Sequence, residues 1–245
     1  MMIKALSGVL CGLLVACGGA VQAPVTRVAT VDSCDGGAVH DTRELARFRG
    51  CSRINGSLAV SGVDSLEALS ALESVAGSLS LSDTRHLESL AGLEHLSAVG
   101  GLELRDNRAL SDLSQLTRLH RAQQVVIQGN QHLRNLDGLS GLSELQNLSL
   151  VGTALYSLRG LENLTQIDRL ELSDNTSLID PSALNGVSAI REVIVEHNPR
   201  LCSTFGFLPK IEHAAHVAMA GNIGLERSHF LRLRELQSQG AVAVR

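Results

Sequence analysis

VGGLELRDNRALSDLSQLTRL, residues 99–119, places Leu110, Leu113, Leu116 and Leu119 at every third position. A strand repeats its faces every second residue and an α-helix every 3.6. On an α-helix, a third-residue series drifts by about 60° at each step. On a strand, alternate members of such a series face opposite sides. A 3₁₀-helix would align them, but such helices rarely run beyond a few residues. What remains is a chain that keeps bending about its own axis and turns one side chain inward on each short side. Successive turns of that kind stack at about 4.8 Å, the strand spacing, so equivalent inward positions form layers of leucine.

The same stretch opens with a second signature: apolar-x-apolar, with Asn three residues further on (Leu102, Leu104, Asn107). It recurs as Val125/Ile127/Asn130, Leu170/Leu172/Asn175, Val193/Val195/Asn198 and Val217/Met219/Asn222. Thr153 follows Leu148 and Leu150, Thr84 follows Leu79 and Leu81, and Val63 follows Leu58 and Val60. The eight copies begin at 58, 79, 102, 125, 148, 170, 193 and 217, with gaps of 21, 23, 23, 23, 22, 23 and 24. Between copies the third-residue rule repeats, as in Leu87, Leu90, Leu93, Leu96, Val99 and in Leu155, Leu158, Leu161, Leu164, Ile167. A period of this length means a solenoid. Ordering about 23 residues costs about 1.5 kcal/mol each, more than one turn's leucines return at about 1.5–3 kcal/mol each. Turns therefore exist only as a stack sharing one core. An inward Asn at each corner can bond backbone groups that a sharp turn leaves without partners. The fold class expected is a β-solenoid of about eight 21–24-residue coils with short parallel strands and helical caps.

Around this core, the 245-residue chain is 44% hydrophobic but only 2% aromatic, so the interior is aliphatic. A net charge of −4 leaves no electrostatic footprint for nucleic acid. At the start, Lys4 precedes an apolar run from Ala5 to Ala16, too short to span a bilayer and shaped like a secretory leader. The run ends in Leu14-Val15-Ala16-Cys17, which resembles a bacterial lipoprotein signal with cleavage before a lipidated Cys17. The alternative is an ordinary leader cut near Ala20 or Ala23, which would give a secreted product. Gly18 lacks the Asp that in some bacteria retains lipoproteins at the inner membrane, so outer-membrane anchoring in the cell envelope is expected. The domain organisation read from the sequence is a signal peptide at 1–16 and a lipid-anchored tether at 17–33. An N-terminal cap follows at 34–57, then the solenoid at 58–225 and a C-terminal cap helix at 226–245.

The N-terminal cap is expected to contain a short helix in DTRELARFRG, with Asp41 as N-cap, Glu44 three residues on and Gly50 as stop. Leu45 and Phe48 would face the first coil. Cys34 and Cys51 bracket this segment; a disulfide between them closes a loop of about 17 residues and contributes about 3 kcal/mol, and export favours it. At the far end, Ser228 opens a helix through HFLRLRELQSQ to Gly240, with Phe230, Leu233 and Leu236 closing the last coil.

Cys51-Ser-Arg-Ile54-Asn-Gly56-Ser-Leu58-Ala-Val60, with VAGSLSLSD, VGGLELRDN and EHNPRLC (196–202), resembles the receptor L domain of the insulin and epidermal growth factor receptor families, a leucine-rich-repeat-like solenoid. The resemblance spans roughly residues 51–225. It implies a right-handed superhelix with parallel sheets, and a binding module whose sheet face contacts protein ligands. The chain departs from those receptors in having no kinase, no cysteine-rich module and more regular repeats, so no ligand-contact residue carries across. Cys202 departs too: the family's cysteine here has a near partner, whereas Cys34 and Cys51 lie roughly 30 Å away, beyond disulfide reach. It is expected to be a free, buried thiol, the alternative being an intermolecular bridge.

No phosphate loop, nucleophile elbow, C-x-x-C or H-E-x-x-H occurs in the sequence. Neither an enzyme nor a cofactor is expected. His213 and His216 beside Glu212 have a metal-like spacing, but they run straight into the strand at Val217 and read as surface histidines. No metal site is assigned. Asp83, Asp106 and Asp174 recur one position before the corner and read as turn residues. Asn55, Asn147, Asn163 and Asn175 lie in N-x-S/T sequons, which carry little weight in a bacterial product. The usable surface is the outward row of the strands: Ala59, Ser80, Glu103, Val126, Ser149, Glu171, Ile194 and Ala218, flanked by Arg105, Gln128, Arg169, Ser173, Glu192 and Glu196. Val126 and Ile194 are apolar where solvent is expected, and the glutamates lean the face acidic. The candidate binding face is Glu103, Arg105, Val126, Gln128, Arg169, Glu171, Ile194 and Glu196, for a protein or glycan ligand. The competing reading is a passive structural or adhesion protein of the envelope with no specific ligand.

Overall fold

In the computed structural model, which describes residues 32–202 and 214–225 together with Leu231 and Glu235, nine parallel strands follow one another in chain order across one sheet. They are β1 (Cys34–Val39), β2 (Arg53–Ser61), β3 (Ser74–Ser82), β4 (Ala98–Arg105), β5 (Gln124–Gln128), β6 (Glu144–Val151), β7 (Gln166–Ser173), β8 (Glu192–Glu196) and β9 (His216–Ala220). Parallel neighbours joined by crossovers of this length, each strand beside the next in sequence, make the architecture solenoid-like. The apolar starts of the repeat meet side by side: Leu58, Leu79, Leu102, Val125, Leu148, Leu170, Val193 and Val217 form one register line across β2–β9. All eight are fully buried.

The third-residue leucines are inward as well; Leu110, Leu113, Leu116 and Leu119 have no exposed surface. The backbone achieves this with separate short turns. Leu110 N–H donates to Asn107 O at 3.1 Å, Leu116 N–H to Leu113 O at 2.9 Å and Leu119 N–H to Leu116 O at 2.8 Å. Only Ser114–Leu116 forms a 3₁₀ turn, and a single bridge between Ser89 and Asp112 interrupts the series. Three-residue closures align the leucines locally, and the breaks between them turn the chain around the core. The last member of several runs differs from expectation. Val75 pairs with Val99, and Leu145 with Ile167, as strand residues. The strands thus begin earlier than the sequence signature and carry the corner that precedes it.

At the other end of strands β2–β9, the position before the inward corner residue has positive φ: it is Asp83 (53°), Asp106 (54°), Asp174 (57°) or His197 (55°) in four strands and Gly62 (60°), Gly129 (70°), Gly152 (61°) or Gly221 (69°) in the others. A left-handed residue reverses the chain sharply, and Gly, Asp and a few other polar residues tolerate it. The recurring aspartates are turn residues for this reason.

The N-terminal cap holds α1 (Thr42–Leu45), continued by a 3₁₀ turn over Ala46–Phe48. Asp41 caps it, its carboxylate accepting from Glu44 N–H at 2.8 Å. The Glu44 carboxylate accepts from His40 N–H at 2.8 Å, one residue earlier than a capping box requires. Leu45 and Phe48 are buried against the first repeat. Cys34 and Cys51 are joined by a disulfide, with Cα atoms 6.0 Å apart.

Two features correct the sequence reading. The segment 34–57 is more than a helical cap, because Cys34–Val39 forms β1 and extends the sheet by pairing with β2. Its glycines, Gly36 and Gly37, lack the alternation that marks the other strands. Cys202, expected to be buried, is exposed; it follows the inward Leu201 and its Sγ lies 3.6 Å from Ile179 O. The helix expected over 226–245 and the lipidation site Cys17 lie outside the described residues.

Candidate functional site: the outward sheet face

Strand register decides which side chains can act together. The middle outward row runs Ala59, Ser80, Glu103, Val126, Ser149, Glu171, Ile194, Ala218, each paired directly with the next. On the corner side of it lies the row Ser82, Arg105, Gln128, Val151, Ser173, Glu196. On the opposite side lies Gly101, Gln124, Asn147, Arg169, Glu192, His216. All eight candidate binding-face residues therefore sit on one continuous surface carried by β4, β5, β7 and β8. The rows are straight because one residue of slip would move every side chain to the core.

The charged side chains are linked within the face. Arg105 Nε lies 3.4 Å from Glu103 Oε2, and Arg105 Nη1 donates to Gln128 Oε1 at 2.6 Å. Arg169 pairs with Glu192 across the neighbouring strand. The Ser149 hydroxyl donates to Glu171 Oε2 at 3.0 Å. These pairs are partly exposed, so each contributes at most about 1 kcal/mol; their main effect is to fix side-chain direction. Short side chains at the centre leave a depression of about 370 Å³ lined by Arg105, Val126, Gln128, Asn147, Ser149, Val151, Arg169 and Glu171.

Val126 departs from expectation. It is only 8% exposed, set between Glu103 and Ser149 on the neighbouring strands. It is floor, not an apolar knob. Ile194, beside Glu171, is half-buried. The residue that the sequence reading missed is Asn147, treated there only as part of a sequon. Its outward position was readable from its place one residue before the inward Leu148, but its role was not. Asn147 Oδ1 is buried and has no hydrogen-bond donor.

Other candidates resolve differently. Asp83, Asp106 and Asp174 occupy the strand-end corner, outside the three rows. Asp174 Oδ1 lies 3.6 Å from His197 Nδ1. His216 stands in the outer row next to Glu192, while His213 and Glu212 lie outside the described residues. Among the described residues, no group of three or more His, Cys, Asp or Glu side chains could hold a metal ion. No helix among them is long and apolar enough to cross a membrane.

Residues 50–138 match the family model of the receptor L domain. No curated protein matches the chain. The match ends within the repeat series, and β6–β9 continue the same register beyond it. The matched family is one of binding domains and not of enzymes, which suggests a ligand-binding module. Together, the family match over residues 50–138 and the single parallel sheet support an L-domain-like fold.

Proposed function

We propose that this chain is an envelope-anchored lipoprotein that binds a protein partner through the outward face of its sheet, and that it is not an enzyme. The observation that carries the binding reading is the alignment of three outward rows into one surface with a depression at its centre. A glycan is the less favoured ligand, because none of the three rows contains a Phe, Tyr or Trp for a sugar to stack on. Cys17 is the proposed lipid attachment point, with residues 17–33 as tether; several acyl chains at about 0.8 kcal/mol per buried CH₂ make detachment negligible. Within this reading the chain winds right-handed through about eight coils, and the handedness is supported by the general preference of parallel crossovers.

The test is capture of partners by the wild-type chain and by a Glu103→Arg/Glu171→Arg variant. Loss of the captured protein on reversing both charges is the expected result. Capture that ignores both changes removes the sheet face from consideration, and a chain that captures nothing at all favours the passive structural reading. Mass spectrometry of the mature N-terminus addresses the anchor: a diacylated or triacylated Cys17 is expected, and an unmodified terminus beyond Cys17 refutes it.

A further inference from the structure

Within that binding reading, on which it rests, we infer that the central depression receives a cationic side chain, a lysine or arginine of the protein partner. The charges of the face do not balance. Four carboxylates, Glu103, Glu171, Glu192 and Glu196, share it with two guanidiniums. Arg105 is engaged by Glu103 and Gln128, and Arg169 by Glu192. Among the described residues, Glu171 has no cationic partner and holds only the Ser149 hydroxyl. Asn147 lines the same depression, and its buried Oδ1 is an acceptor without a donor. A buried polar atom left unpaired is costly, and native structures hold few.

The unmet demand is therefore for donors carrying positive charge. A lysine ammonium offers three donors and no acceptor. Glu171 and the free lone pairs of Ser149 Oγ supply acceptors in one place, and Asn147 Oδ1, buried beside them, joins them when the Asn147 side chain turns outward. The methylene stem of such a side chain is apolar and rests on apolar surface while its head stays polar; Val126 and Val151 provide that surface in the lining. Arg105 and Arg169 also line the depression, but Glu103, Gln128 and Glu192 already hold them, so Glu171 is the charge left over. The lean of the whole face, two net negative charges, also steers a basic partner towards it.

The experiment titrates three synthetic peptides of equal length into the isotopically labelled full chain, one Lys/Arg-rich, one Asp/Glu-rich and one Ser/Gly-rich. The readout is the NMR shift of the amides of Val126, Asn147, Ser149 and Glu171, with the Asn147 side-chain amide. The basic peptide is expected to shift these signals with a Kd of about 1 mM or tighter. Glu171→Gln is expected to weaken it about tenfold or more, and Asn147→Leu to weaken it while leaving the sheet's other amides in place. Equal binding to wild type and Glu171→Gln, or no response to the basic peptide, overturns the inference. A response to the acidic or neutral peptide at these same amides overturns the cationic assignment while the sheet face stands as the binding surface. Failure of the face itself is read separately, from partner capture that ignores Glu103→Arg/Glu171→Arg.

Discussion

Replacing Asn107 by leucine should cost far more than its position on a turn suggests. Asn107 is fully buried. Its Oδ1 accepts from Thr84 N–H at 3.1 Å and from the Thr84 hydroxyl at 2.6 Å. Its Nδ2 donates to Leu81 O at 2.9 Å. The leucine is of similar size, so no large cavity opens, and the loss is in polar satisfaction. Two donors and one carbonyl of the preceding repeat are left without partners in a dry interior. Each stranded group costs about 1–3 kcal/mol; allowing the Thr84 hydroxyl to reorient leaves two such groups, a total of about 2–6 kcal/mol. That is a large share of the 5–15 kcal/mol that ordinarily holds a domain together.

The measurement is urea denaturation followed by far-ultraviolet circular dichroism, with amide hydrogen exchange to locate the damage. Contacts in a solenoid are between neighbours, so protection should fall first at Thr84 and around Leu81, and persist at the far strands β7 and β8. A loss below about 1 kcal/mol would refute the argument, because it would mean the corner groups find water or other partners without the asparagine.

Three further outcomes are expected. The asparagine ladder breaks at Thr153: each corner Asn donates to a carbonyl three residues before the preceding corner, as Asn130 does to Leu104 O and Asn175 to Leu150 O. Thr153→Asn should extend it towards Asn130 N–H and Ile127 O, raising stability by about 0.5–1.5 kcal/mol net in the same denaturation assay; destabilisation would show that the site has no room. Cys34→Ser with Cys51→Ser should cost about 3 kcal/mol for a loop of this length, with hydrogen exchange accelerating in β1 and not in β7. At Asp112, burial opposes ionisation, but the Ser114 backbone N–H, the Ser114 hydroxyl and the Gln115 amide outweigh it and hold the carboxyl below its usual range. A depressed folded pKa means stability present above about pH 3.9 and lost as the pH falls through the folded value. Asp112→Asn should therefore flatten the decline on acidification below about pH 3.9, and an unchanged slope would refute it.

The inward half of the molecule was legible because burial writes a period into the chain. Leu102 and Leu104, Asn107, and Leu110 to Leu119 each appear where a core-facing position recurs, and the register lines of the sheet connect them as the spacing requires. The misses share one physical cause: they occur where a neighbour decides the outcome and periodicity carries no signal. β1 forms because β2 offers an open edge and the Cys34–Cys51 bond holds it there, although CDGGAV has almost no alternation. Val126 looks exposed by position, but it is buried between Glu103 and Ser149, each 23 places away in sequence. Asn147 is the sharpest case. In sequence it is one residue of a sequon, and in the strand it is one outward position among many. Only the stack of Gln124, Asn147 and Arg169 across three strands shows that its oxygen is enclosed and lacks a donor. Function in a solenoid is written across the repeats, along the direction in which a linear sequence has no period, so a repeat can specify its own fold while leaving the binding surface to the assembled sheet.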